Sequence, residues 1–127
     1  MKLSTMMVFK SAVCIITGII FLIFPGQWLW LLNADLNSLS GTFMARLFGA
    51  TFILVGLFMA MARDVADPAM RRAIILSVFV GDGLALIVSL IAQLSGVLNP
   101  FGWGIVIVYL LLTLGFGYLQ FTKAGAA

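Results

Sequence analysis

Four long apolar stretches constrain this chain more than any other feature. They run over about residues 8–24, 42–62, 68–94 and 104–122, and little but short polar connections lies between them. A helix needs roughly 20 apolar residues to cross the hydrocarbon layer, and each stretch meets that length. Alternation with a period of two is weak, and the stretches are too long for barrel strands. Lipid demands that every backbone polar group be satisfied within the element, which helices do. The expectation is therefore an all-α fold: a polytopic membrane protein of four transmembrane helices in an antiparallel bundle, forming one domain over residues 1–127.

Composition agrees. Of the 127 residues, 64% are hydrophobic and 9% are charged, far from the roughly half and quarter of a soluble domain. A small globule has no interior large enough to hide that excess. The chain has no His and no Glu, and its only Cys is Cys14. His-based zinc or haem sites and Ser-His-Asp or Cys-His catalysis are thus excluded, and no metal or other cofactor is expected. One Cys makes no internal disulfide.

The net charge of +3 belongs to topology rather than to nucleic acid. Lys2, Lys10, Arg63, Arg71, Arg72 and Lys123 are six of the seven basic residues. They fall at the amino end, the second connection and the carboxyl end, on one side of an even number of spans. The positive-inside tendency then makes both termini cytoplasmic, in a bacterial-type inner (plasma) membrane. Trp28, Trp30 and Trp103 fall in the opposite connections and read as interfacial anchors. The first span has basic flanks like a signal peptide, but no Ala-x-Ala site follows it, so it reads as retained. The segment from Trp28 to Leu39 reads as a short interfacial piece, with Leu32, Leu36 and Leu39 on one face. The short second connection predicts that spans two and three form an antiparallel hairpin.

Few residues in the spans carry chemistry. Ala73, Ser77, Gly81, Ala85 and Ser89 recur every fourth residue on span three, a groove for close approach of a helix within the chain or from another subunit. Ala45 with Gly49, and Gly56 with Ala60, make a shorter version on span two. Asp82 is the one acid inside a span, roughly 13 Å from the start of its apolar stretch near Ala73. Ionised in lipid it costs at least about 2.5–3.5 kcal/mol, so it should face protein or water, or be protonated. Its neighbours Gly81 and Gly83 permit close packing, or else soften the helix as in broken transporter helices. Counted by depth, Thr17, Thr51 and Thr113 lie near its level and form with it a candidate polar site at mid-membrane. Such contacts act as glue between helices, or hold a proton, a cation or a small polar ligand. Arg46 is offset from Asp82 by roughly 10 Å across the expected hairpin, and helical side chains lean toward their own amino end. Arg46 is therefore expected to snorkel toward the outer leaflet beside Gln93 or loop carbonyls, with a pair to Asp82 open through tilt or register shift.

Several short blocks occur together: Phe24-Pro25-Gly26, then Ala45-Arg46-Leu47-Phe48-Gly49-Ala50, Asp82, Leu94-Ser95-Gly96-Val97-Leu98-Asn99 and Gly102-Trp103. This pattern resembles small bacterial four-helix membrane proteins of unknown function, broadly DoxX-like, over most of the chain. The resemblance implies a four-helix inner-membrane protein and brings no catalytic residues. DoxX-type relatives are linked to quinone-dependent respiratory chemistry, and the chain itself supplies no redox ligand. Small multidrug-resistance exporters differ in using a Glu in their first span.

The leading functional expectation is a non-enzymatic membrane protein that works through helix contacts, as an accessory subunit or a homo-oligomer. A small transporter or channel using Asp82 is the second reading. Binding of a lipid or quinone near the three tryptophans is the third.

Overall fold

The computed structural model describes residues 2–32 and 39–122, without the side chains of residues 39 and 40. The described part is helical: α1 (Leu3–Ile23), α2 (Pro25–Leu31), α3 (Leu39–Ala62), α4 (Pro68–Leu94) and α5 (Gly102–Phe121). Four of these, all but the short α2, are long and apolar enough to cross a membrane, which makes this a multi-pass membrane protein.

Local chemistry sets the boundaries. Asp67 caps α4, its Oδ2 accepting from the Met70 amide at 2.7 Å, and Pro68 takes the first helical position, where a missing N–H costs nothing. The far end of α4 closes in a Schellman turn. The Gly96 amide donates to the Gln93 carbonyl at 3.3 Å and the Val97 amide to the Ala92 carbonyl at 3.1 Å. Gly96 sits there at φ +74°, a conformation that side chains disfavour. Of the piece expected from Trp28 to Leu39, only its start is described as helix, within the short α2 begun by Pro25, and residues 33–38 lie outside the described residues. Leu32 is buried, whereas Leu36 falls outside the described residues and nothing is said of the Leu39 side chain.

The first span differs from its expected bounds. It begins at Leu3, not near residue 8, so Lys10 is an interior residue of α1 rather than a flank. The helix pairing also differs. α1 packs closely with α3, and α4 with α5, while α3 and α4 do not pack along their lengths despite the short connection between them. A short link makes two helices neighbours in sequence, but in lipid close approach is decided by small residues. Those residues join α1 to α3. A Cβ on Gly18 would lie 2.7 Å from the Gly49 carbonyl oxygen, and one on Gly49 would lie 2.7 Å from that of Gly18. A Cβ on Gly56 would meet Ile15 Cγ1 at 2.6 Å. Gly49 and Gly56 thus do the close packing that their spacing announces.

The two pairs meet through α1. With its parallel neighbour α4 and its antiparallel neighbour α5 it forms a core that includes Leu3, Met7, Ile75, Val78, Leu112 and Phe116, which Met59 of α3 joins. This core occupies the near end of the bundle, where α1 and α4 begin and α3 and α5 finish. The far end carries α2 and the 95–101 connection, tied together by Asn99. Its Nδ2 donates to the Leu31 carbonyl at 2.7 Å, and its amide donates to that of Leu32 at 3.1 Å.

Candidate functional site

Asp82 projects from α4 into the space between the two helix pairs and is 4% exposed. Its partner is Lys10 of α1, whose Nζ donates to Asp82 Oδ1 at 2.5 Å. Arg46 does not pair with it and is exposed on α3. Nor does Arg46 meet Gln93, whose Nε2 donates to the Asn99 carbonyl at 3.1 Å. The sequence pattern hides Lys10 because Lys2 and Lys10 together look like one basic flank. The signal that could have exposed it is helical phase. Leu3, Met7, Lys10 and Cys14 follow one another by three or four residues, so Lys10 lies on the apolar stripe.

Depth explains why the two charges meet. Asp82 is 14 residues into α4 and Lys10 is 7 residues into α1. α4 therefore starts seven residues, or roughly 10 Å, before α1 and overhangs the near end. That overhang carries Arg71 and Arg72, and Arg71 donates through Nη1 to the Val65 carbonyl at 3.2 Å. An opposite charge within hydrogen-bond reach offsets the cost of each buried ion, and the pair is neutral as a whole.

α4 runs unbroken through Gly81, Asp82 and Gly83, so the unwinding that the two glycines would permit is absent. They divide the work instead. Gly81 faces outward: among the described residues no atom beyond its own stretch of helix lies within 4 Å of where a Cβ would stand. Gly83 faces α5, where Thr113 Cγ2 lies 3.9 Å from the corresponding point.

The expected threonine belt is only partly assembled. Thr113 faces Gly83, the neighbour of Asp82 on α4, and its Oγ1 is buried with no hydrogen-bond partner among the described residues. Thr17 is half-buried on α1. Thr51 is exposed on α3 and donates to the Leu47 carbonyl of its own helix at 3.0 Å, because its face of α3 turns away from α1. Two residues outside the expected set join the site. Cys14 and Tyr109 lie within electrostatic reach of Asp82, so α1, α4 and α5 all contribute polar groups. Only one carboxylate oxygen is satisfied: Asp82 Oδ2 is buried without a partner among the described residues.

The small-residue groove splits along α4. Ala73, Ser77 and Gly81 are exposed, and Ser77 Oγ donates back to the Ala73 carbonyl at 2.6 Å. Ala85 and Ser89 are half-buried, because the stripe drifts around a helix of 3.6 residues per turn. All three tryptophans lie at the far end. Trp28 packs edge-on against Phe21 with ring centres 6.1 Å apart, while Trp30 and Trp103 are exposed. Beside them a shallow cleft of about 410 Å³ is lined by Trp30, Leu31, Asn99 and Phe101.

A family model described as Domain of unknown function (DUF8292) matches residues 1–119, and the chain belongs to that family. No curated protein and no solved structure matches it.

Proposed function

We propose that this chain is a non-catalytic integral membrane protein that acts through helix contacts, as a homo-oligomer or as an accessory subunit of a larger membrane assembly. The observation that carries this reading is the outward ridge of Ala73, Ser77 and Gly81 on α4. The internal α1–α3 packing uses other residues, Gly18, Gly49 and Gly56, and leaves this ridge open. Small residues along a lipid-facing helix let a second backbone approach closely, and such packing favours helix association in a bilayer. The basic residues Lys2, Arg63, Arg71 and Arg72 at the near end support a cytoplasmic location for that end in a bacterial-type inner membrane. In a Cys14→Ser background, Ser77→Cys should cross-link to a partner in native membranes, and Gly81→Leu should abolish the product. A strictly monomeric chain that tolerates Gly81→Leu overturns the reading. Affinity capture in mild detergent separates a second copy from a different protein.

A second reading rests on the unpartnered Oδ2 of Asp82, which marks a polar centre inside a transporter or channel. It requires flux in liposomes that disappears in Asp82→Asn, and intact flux in that variant discards it. The third reading, a lipid or quinone headgroup in the cleft beside Trp30, requires such a molecule to co-purify and to be lost in Trp30→Ala.

A further inference from the structure

We propose that Arg46 is the docking site of one anionic phospholipid of the far-end leaflet, its guanidinium holding the lipid phosphate and the apolar face of α3 beneath it carrying an acyl chain. Lys10 and Arg46 are both basic residues within spans, and the fold treats them in opposite ways. Lys10 is buried and donates to Asp82. Arg46 is exposed and has no hydrogen-bond or ion-pair partner among the described residues. No described carboxylate is placed to serve it. Asp82 is taken by Lys10, and Asp64 and Asp67 lie at the near end, where the first pairs with Arg63 and the second caps α4. The fourth acid, Asp35, lies outside the described residues.

The surroundings of Arg46 are those of a lipid-facing stripe. Phe43, Leu47, Leu54 and Leu57 share its side of α3 and are 50–67% exposed. A charge on such a face is tolerated when its long side chain carries it out to the headgroups. Position and direction allow that here. The span begins at Gly41, five residues before Arg46, which is roughly 7–8 Å of helix. Helical side chains lean toward their own amino end, and for α3 that is the far end. The guanidinium therefore rises toward the phosphates of the far-end leaflet.

The chemistry there selects the ligand. A guanidinium presents a planar fork of N–H donors that matches two oxygens of one phosphate. A headgroup with its own amine neutralises that phosphate internally, whereas a phosphatidylglycerol-type headgroup leaves it a net negative charge for Arg46. A second copy of the chain brings no free carboxylate at this depth among its described residues, so charge complementarity favours lipid over protein. Ala50, one turn deeper, is exposed and carries only a methyl group, which leaves room for an acyl chain against the helix directly below the headgroup. The site shares no residue with the ridge on α4 or with the cleft beside Trp30.

Native mass spectrometry of the full chain in mild detergent, titrated with phosphatidylglycerol or with phosphatidylcholine, tests the proposal. The parent should retain one phosphatidylglycerol more tightly than any phosphatidylcholine. Arg46→Gln should weaken that binding at least about tenfold, the loss expected for a charged hydrogen-bond donor. Arg46→Lys keeps the charge without the fork and should fall between the two. Position 46 is exposed, so these variants should fold, and circular dichroism checks that they do. Arg46→Gln that holds phosphatidylglycerol as tightly as the parent overturns the proposal, as does equal affinity of the parent for the two lipids. Release of the lipid by Trp30→Ala or by Arg72→Gln, with Arg46→Gln still retaining it, places it in the cleft or at the near end and overturns the proposal equally. The same spectra report oligomeric state: Arg46→Gln that loses a bound second copy and keeps the lipid shows that protein, not lipid, covers the site. Gly81→Leu should leave lipid binding unchanged, so the helix-contact reading stands or falls separately.

Discussion

The α1–α3 interface and the junction of α1 with α4 and α5 hold helices together by opposite means. At the first, three glycines bring backbones together, and the carbonyl of each of Gly18 and Gly49 occupies the space that a side chain on the other would need. At the second, a buried ammonium and carboxylate bridge helices 72 residues apart in sequence. Between apolar helices in lipid the hydrophobic effect gives no preference, so specificity must come from shape or from polar contact. This chain uses shape to form one pair and charge to set that pair against the other. The lesson is that the interfaces should fail differently when damaged.

The largest effect is expected at the ion pair. Lys10→Ala leaves the Asp82 carboxylate buried and alone, which should cost about 3–5 kcal/mol. Removing both charges with Lys10→Met and Asp82→Leu should recover most of that loss, since a buried pair replaced by apolar groups is often neutral or stabilising. Unfolding in mixed micelles measures both. A single variant as stable as the parent would break the comparison, because charge would then contribute nothing to holding the pairs together.

Next comes Gly49→Ala, whose methyl group would press on the Gly18 carbonyl and the backbone of Leu22. Overpacking of this kind costs typically about 1–3 kcal/mol, and no second substitution on the polar junction should relieve it. The same unfolding assay, run on the Lys10→Met/Asp82→Leu background, should show additive losses if the two interfaces are independent. A smaller loss is expected for Asp67→Ala, which removes the cap of α4 outside both interfaces and should cost about 1 kcal/mol. It supplies a baseline for damage that touches neither.

The smallest effect has the opposite sign. Gly81→Ala adds a methyl group where, among the described residues, no atom beyond its own stretch of helix stands within 4 Å. Replacing a mid-helix glycine by alanine should raise the stability of the isolated chain by about 0.5–1 kcal/mol. Destabilisation of purified monomer by this change would mean that the ridge on α4 is packed inside the chain. That outcome would sharpen the contrast into three interfaces rather than two.

The glycine interface was half legible. Gly49 and Gly56 carry a visible spacing on α3, but their counterpart on α1 is the single Gly18, which no periodicity marks. The charged junction was legible only as one residue. Asp82 stands out because acids in apolar spans are rare, whereas Lys10 has an alternative home at the membrane edge. Asn99, which ties the far-end connections together, carries no chemical signal of that role, because its partners across the connections are the backbone carbonyls of Leu31 and Leu32. Thr51 shows the converse error: depth counting puts it level with Asp82, but depth says nothing about which way a face turns.

What the amino-acid sequence determined alone is what depends on neighbours in the chain. The four spans follow from length and apolarity, the start of α4 from Asp67 and Pro68, and its stop from Gly96. What the tertiary structure decided is which helices touch, and hence which polar groups meet. A span can slide by a turn and rotate about its axis without changing its hydropathy, so pairing and register are invisible to any local pattern. Packing removes that freedom: glycine contacts set α1 on α3, and the overhang of α4 carries Asp82 to the level of Lys10.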